Sequence, residues 1–216
     1  MHYLGLCAII KDEAPFLEEW MAYYTHLGVE AFYLYDNGSK IPVNETLRLF
    51  ERFHTPEKLF IHRVPGEKIQ MAAYNLCCAT YASRCRWIAF VDVDEFIVPK
   101  KHDSIPAMLE EFEPYAGLAL NWQVFGSSGH LSRPEGLQIE NYTRALDPGA
   151  LIHRHVKCIV RPGKVDMFFG PHICELNSPE DVIVTENHEP LFGPITEALN
   201  REKGQVNHYY FRSIKD

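Results

Sequence analysis

Residues 90–99 read FVDVDEFIVP and follow Trp87-Ile88-Ala89. An apolar run of strand character meets three carboxylates, Asp92, Asp94 and Glu95, turns apolar again and stops at Pro99. Side chains alternate along a strand, so an extended reading points Asp92 and Asp94 one way and Val93 the other. Two carboxylates held that close repel unless a cation shares them. Hard oxygen ligands favour Mg²⁺ or Mn²⁺ over zinc, and an ion with two protein ligands keeps positions open for phosphate oxygens. The bland alternative is an acidic loop that caps a helix or pairs with arginine. A lone Asp-x-Asp is too common to decide between them.

The residues before this stretch supply context. Tyr3–Ile10 (YLGLCAII) is a continuous apolar run, as expected of a strand covered on both faces. Lys11-Asp12-Glu13 follows, then Pro15, a favoured first helical residue. Phe16, Leu17, Trp20, Met21, Tyr24 and Leu27 recur at helical spacing, and Gly28 is a natural stop. Ala31–Tyr35 reads as a second strand closed by the turn Asp36-Asn37-Gly38-Ser39. A helix around Glu45–Phe53, a strand Leu59–Arg63, a long helix near Glu67–Ser83 and a strand Trp87–Val91 complete the alternation. Such alternation predicts an α/β fold, a mostly parallel central sheet flanked by helices. Ligands of these sheets bind beyond the carboxyl ends of the strands. Three polar clusters collect on that edge, ending with Asp92-Val93-Asp94-Glu95.

After about residue 100 the rhythm breaks. A helix near Ile105–Phe112 and a strand Leu118–Trp122 precede loops rich in Gly, Pro, Ser and His, with short strands at Val156–Arg161 and Val182–Thr185. The expected organisation is one domain over residues 1–216, with a ligand-binding half at 1–100 and an irregular half at 101–216 that builds the second wall of a cleft.

Composition narrows the function classes. The 216 residues are 46% apolar and 23% charged, as in ordinary globular chains. A net charge of −8 with no Lys/Arg run argues against nucleic acid as a partner. Six cysteines without a CxxC pair read as buried thiols in a reducing, cytoplasmic setting. No apolar stretch reaches the ~18 residues of a membrane helix, and no signal peptide is visible before the first strand. The ending HYYFRSIKD has neither turn signal nor cap, so the natural chain is expected to continue. Eleven histidines, two of them (His153 and His155) alternating on a possible strand, lack any HExxH spacing, so zinc is not expected.

The stretches CAIIKDEAPFLEEWMAYYTHLGVEAFYLYDNGS, QMAAYNLC, WIAFVDVDEFIVP, NWQVFGSSGH, HVKCIVRP and VNHYYFRS span nearly the whole chain. In that order they resemble GT-A-fold glycosyltransferases, specifically the family 92 and related bacterial family 2-like group. The resemblance implies a Rossmann-like GT-A sheet, a nucleotide-sugar donor with UDP favoured over GDP, a divalent Mn²⁺ or Mg²⁺, and a sugar passed with inversion to a hydroxyl of a glycan or glycoconjugate. Any membrane association is expected to be peripheral, at the inner face, through a C-terminal region beyond Asp216.

Carried onto this sequence, the resemblance makes Asp92 and Asp94 the metal and donor acids, with Asp94 the direct ligand and Glu95 a holder of metal water. Lys11 and Glu13 fall where the nucleoside binds, and Asp36 where an acid reads the base. A turn-former is the plain alternative for Asp36. Gln70, Tyr74 and Asn75 share one helix, with Gln70 and Tyr74 on one face, and the resemblance points that helix's polar face at the donor. His208 matches a late histidine that completes the metal site. Trp122, Phe125, Ser127, Ser128 and His130 suit the acceptor, through an aromatic sugar face and hydroxyl contacts. Lys157 and Arg161 are candidates to offset diphosphate charge. An inverting reaction needs a base, and Glu175, Asp166, His172 and His130 are the candidates. Rival readings are a nucleotidyltransferase, disfavoured by the absence of glycine in Lys11-Asp12-Glu13, and a non-catalytic sugar- or nucleotide-binding protein.

Overall fold

The computed structural model describes residues 1–48 and 58–213. In chain order the elements are β1 (His2–Ile10), α1 (Ala14–His26), β2 (Ala31–Asp36), α2 (Val43–Arg48), β3 (Leu59–Arg63), α3 (Gln70–Tyr81), β4 (Cys85–Phe90), β5 (Glu95–Pro99), α4 (Ile105–Leu109), β6 (Gly117–Val124), α5 (Gln138–Asn141), β7 (Val156–Val160), β8 (Val165–Phe168), β9 (Cys174–Leu176), β10 (Ile183–Thr185) and β11 (Gly204–His208). Residues 49–53 of the helix expected from the sequence lie outside the described residues.

The main sheet has the order β3-β2-β1-β4-β7-β6-β11-β5, with β10 added to β6. Strands β3, β2, β1 and β4 run parallel. β7 enters antiparallel between β4 and β6. β11 pairs parallel with β6 and antiparallel with β5. β8 and β9 form a separate antiparallel pair. The mixed, mostly parallel α/β architecture expected from the sequence is therefore present, with β7 and β5 as its antiparallel members.

Both faces of the sheet are covered, which is why β1 and β2 read as unbroken apolar runs. On one face α1 lays Leu17, Trp20, Met21 and Tyr24 against Leu4, Leu6, Phe32 and Leu34. On the other, α3 sets Tyr74, Cys77 and Tyr81 against Cys7, Tyr33, Tyr35 and Phe90. Gly5 is required by this packing: a Cβ there would lie 2.6 Å from the Tyr33 ring and 2.9 Å from Cys85 Sγ. All six cysteines are buried. Gly28, at φ +93°, follows the end of α1 as expected of a helix stop.

Two local expectations need correction. Strand β4 ends at Phe90, so Asp92-Val93-Asp94 is not extended; it belongs to the turn into β5. The possible strand carrying His153 and His155 is instead the end of a 3₁₀ turn over Leu151–Arg154, with His155 just past it. Its His153 is buried, accepting from Val124 N–H at Nδ1 and lying 3.0 Å from the Asp147 carbonyl at Nε2.

Candidate active site

The acidic turn is held by helix α1. Trp20 Nε1 donates to the carbonyls of Asp92 (3.0 Å) and Glu95 (3.2 Å). One helical turn on, Tyr24 Oη donates to the Glu95 carbonyl at 2.9 Å and accepts from Ile97 N–H at 3.0 Å. The turn also closes on itself: Asp92 N–H donates to Glu95 Oε2 (2.8 Å) and Glu95 N–H to the Asp92 carbonyl (3.1 Å). Glu95 is fully buried. It therefore shapes the turn from beneath, where the sequence reading had it holding a metal water. Burial pushes its carboxyl up to about 7, with Lys157 opposing.

The three acids have different neighbours. Asp92 accepts from Gln70 Nε2 at Oδ1 (3.1 Å) and from Lys157 Nζ at Oδ2 (2.9 Å). Lys157 Nζ also lies 3.2 Å from Glu95 Oε2, and its side chain is 1% exposed. Burial alone would depress this ammonium, but Asp92 and Glu95 outweigh it and hold the group charged. Asp94 Oδ2 lies 3.5 Å from His208 Nε2 and 3.5 Å from Arg212 Nη2. Burial opposes ionisation of Asp94, and His208 and Arg212 more than offset it, so its carboxyl is held low. Arg212 grips Glu13 with two bonds, 2.6 and 3.2 Å, and stacks over the Phe16 ring at 4.1 Å.

β11 places the late residues. Its register sets His208 opposite Glu95 of β5 and Val124 of β6, and Tyr209 N–H donates to the Asp94 carbonyl at 2.9 Å. The His208 ring rests against Trp122 at 4.4 Å. Trp122 Nε1 and His208 Nδ1 are buried without a hydrogen-bond partner.

These groups face a cavity of about 500 Å³. Among its lining residues are the expected Lys11, Glu13, Gln70, Asp92, Asp94 and His208. Trp122, His172 and Lys157 complete the far wall. The sequence reading missed Asn37 and Lys68, which also line it. Asn37 sits in the turn that ends β2, on the edge the strand pattern had marked, whereas Lys68 carried no signal beyond its charge.

Other expected residues lie elsewhere. The Asp36 carboxylate is 2% exposed and accepts from the backbone N–H groups of Ser39 (2.8 Å) and Val43 (3.3 Å). Tyr74 is buried and accepts from Gln70 Nε2 at 3.1 Å. Asn75 clamps the backbone of Phe168 with both ends of its amide, because α3 turns that side away from the cavity. Asp166 and Glu175 are exposed on the β8–β9 pair and do not line this cavity. Phe125, Ser127, Ser128 and His130 are likewise not in its wall. The loop bonds to itself and its neighbours: Ser127 Oγ accepts from Gly129 N–H, Ser128 Oγ from Arg144 N–H, and His130 Nε2 lies 3.2 Å from the Asn141 carbonyl. Arg161 pairs with Glu113 at the opposite end of the sheet.

Of the candidate bases, His172 reaches the cavity. Its Nδ1 lies 2.8 Å from the Val156 carbonyl, which can only accept, so Nδ1 carries the proton and Nε2 keeps its lone pair. Burial lowers its pKa to about 4.

The donor set can be tested for a divalent ion. Asp94 Oδ2 and His208 Nε2, a carboxylate oxygen and an imidazole nitrogen 3.5 Å apart, are spaced to share one cation of the Mn²⁺ type. Among the described residues, no three His, Cys, Asp or Glu side chains converge into an all-protein cage. A two-ligand site that leaves positions for phosphate oxygens suits Mg²⁺ or Mn²⁺ chemistry.

Fold and site together define an α/β protein with an acid-rimmed cavity at the carboxyl edge of its sheet. The family model of glycosyltransferase family 92 matches residues 2–213, and the chain belongs to that family. A family 92 protein of Oryza sativa subsp. japonica is 30% identical over 166 residues, covering 74% of this chain and 27% of the relative. Another, from Ricinus communis, is 29% identical over 220 residues, covering 97% of this chain and 35% of the relative. The chain thus spans about a third or less of these relatives' length. Among solved structures, HddC from Yersinia pseudotuberculosis has a TM-score of 0.49 at 10% identity, covering 86% of this chain and 91% of that one. Residues 1–349 of S. aureus TarS give 0.48 at 13% identity, covering 74% and 47%. No helix among the described residues is long and apolar enough to cross a membrane.

Proposed function

We propose that this chain is the donor-binding and transfer unit of a metal-dependent glycosyltransferase. It moves a sugar from a nucleotide-sugar, UDP-linked, to a hydroxyl of a glycan or glycoconjugate acceptor, with inversion. The observation that carries this reading is the Asp94–His208 pair on the wall of a 500 Å³ cavity that Lys11, Lys68 and Lys157 also line, in a chain of family 92. Acids and lysines converging on one cavity suit a cation-bridged diphosphate.

The roles follow from position. Lys11, Glu13 and Asn37 stand at the ends of β1 and β2, where the nucleoside is expected to lie. Asp94 and His208 would hold Mn²⁺ or Mg²⁺. When bound, the ion would supply a positive charge against the negative charge that grows on the leaving diphosphate. Lys157, fixed at the cavity wall, adds a second positive charge there. Trp122 lines the cavity, where its ring suits the apolar face of a sugar. His172 Nε2 is available to accept the proton of the attacking hydroxyl.

A thermal-shift screen of UDP- and GDP-sugars, with Mn²⁺ and with chelator, tests this reading. A UDP-sugar should raise the melting temperature in the presence of Mn²⁺, and both chelator and Asp94→Ala should remove most of the gain. Equal stabilisation with and without chelator would overturn the metal bridge. No response to any nucleotide-sugar would overturn the donor site.

A further inference from the structure

Lys157 is a costly residue to bury. Its side chain is 1% exposed, at the centre of a sheet, and an ammonium there is tolerated only with close compensation. It arrives on β7, the strand that enters antiparallel beside β4, with Lys157 facing Leu120 across the β6 ladder. Two of its partners are Asp92 Oδ2 at 2.9 Å and Glu95 Oε2 at 3.2 Å. An ammonium has three N–H donors, and Lys157 also lines the donor cavity. One donor is left for whatever fills it.

Asp92 is equally engaged. Gln70 Nε2 takes Oδ1 and Lys157 takes Oδ2, so both carboxylate oxygens already have cationic or amide partners. Asp94 is different, because its Oδ2 faces His208 and Arg212 at 3.5 Å, distances at the loose end of contact. The two acids of the Asp-x-Asp pair are therefore not equivalent. They sit in a turn, outside the strand geometry that would have made them point alike.

We infer that the pair divides its labour: Asp94, with His208, faces the divalent ion, while Asp92 is a positioning residue that aims Lys157 at the donor's diphosphate. Lys157 is then a built-in second cation, with its third N–H donating to a phosphate oxygen of the nucleotide. This rests on the donor reading of the cavity given above.

The test uses the full chain and two binding measurements. Mn²⁺ affinity is read by electron paramagnetic resonance on the wild type, Asp92→Asn and Asp94→Asn. Even a residue that only supports a metal ligand costs about 10- to 100-fold in affinity when exchanged, and a direct ligand costs no less. Asp94→Asn should show a loss of that size, and Asp92→Asn should stay within about threefold, well below that range. UDP affinity is then read by calorimetry at saturating Mn²⁺ for the wild type and Lys157→Met/Glu95→Gln. The double variant removes the buried Lys157–Glu95 pair together, and the partly exposed Asp92 keeps its bond from Gln70. This variant should bind UDP about tenfold more weakly, the size of one charge-assisted hydrogen bond. An equal loss of Mn²⁺ affinity in Asp92→Asn and Asp94→Asn would overturn the division. Unchanged UDP affinity in the folded double variant would overturn the role of Lys157. If the wild type bound neither Mn²⁺ nor UDP, the donor reading itself would fall, a result distinct from either of these.

Discussion

Strand β4 carries a carboxylate cluster at each end, and the two differ in what they face. At its start, Glu113 accepts from Tyr3 Oη (2.9 Å), Arg86 Nε (3.0 Å) and Arg161, with Trp87 Nε1 at 3.5 Å. One acid faces two guanidiniums, and the Arg86 hydrogen bond leads in holding its carboxyl down to about 2. At the other end, Asp92, Asp94, Glu95 and Glu13 share Lys157, Arg212 and the His208 imidazole. The first cluster is closed. The second opens on a cavity that Lys11 and Lys68 also line. Charged groups of both signs left facing open space can take up the charges of a ligand, and that separates a binding site from a structural knot made of the same residue types.

The contrast is sharpest for exchanges of one acid at each end. Asp94→Asn should lower kcat about 100- to 1,000-fold, the scale of removing one preorganised charge contact to a reacting group, with the circular dichroism spectrum unchanged. A variant with more than a tenth of wild-type turnover would mean that the second cluster is as structural as the first. At the first end, Glu113→Ala should cost about 1–3 kcal/mol of stability, because hydrogen bonds to charged partners are lost. Donor affinity should stay within about twofold of wild type, too little to register as about 1 kcal/mol. Urea unfolding and calorimetry read the two quantities separately.

How much of this contrast could be read beforehand depends on range. The strands and helices before residue 100 follow from local patterns, such as the Tyr3–Ile10 run and the Leu17–Trp20–Tyr24 spacing. The donor edge was legible because the strands are parallel and their polar ends coincide. What was not legible came from long-range pairing. Nothing local in HVKCIVRP says that β7 enters antiparallel beside β4 and brings Lys157 beneath Asp92, 65 residues away. The hidden work of Glu95 depends on Trp20 and Tyr24 clamping its turn. The acceptor residues expected in the 125–130 loop were placed by their aromatic and hydroxyl chemistry, the bases Asp166 and Glu175 by lying in the second half of the chain, and the structure sets them all outside the cavity wall.

His172 tests the cavity side by pH. Its folded pKa, about 4, is below the ordinary 6.5 because burial disfavours the charged ring. A depressed histidine leaves stability whole above the unfolded value. Stability then falls as pH drops from about 6.5 toward 4, since the unfolded chain takes up the proton first. With its ring partly exposed, the loss between pH 7 and 5 should be about 1 kcal/mol. His172→Gln should flatten that slope in urea unfolding. A wild-type slope that His172→Gln leaves intact would show that the ring titrates normally, and would remove the case for a neutral Nε2 base.

The smallest expected effect falls at Asp36, where a charged side chain on the donor edge belongs in kind to the closed cluster. Its two oxygens accept from Ser39 and Val43 N–H groups, and it is 2% exposed, so it ties the β2 turn to the start of α2. Asp36→Ala should cost about 1 kcal/mol, as for a lost helix cap. If the carboxylate instead reads the base, the ratio of UDP to GDP affinity should collapse about tenfold, because a buried polar group matched to one base discriminates strongly against another. Capping leaves that ratio unchanged. Measuring both nucleotides on one variant therefore separates a side chain that builds the rim from one that uses it.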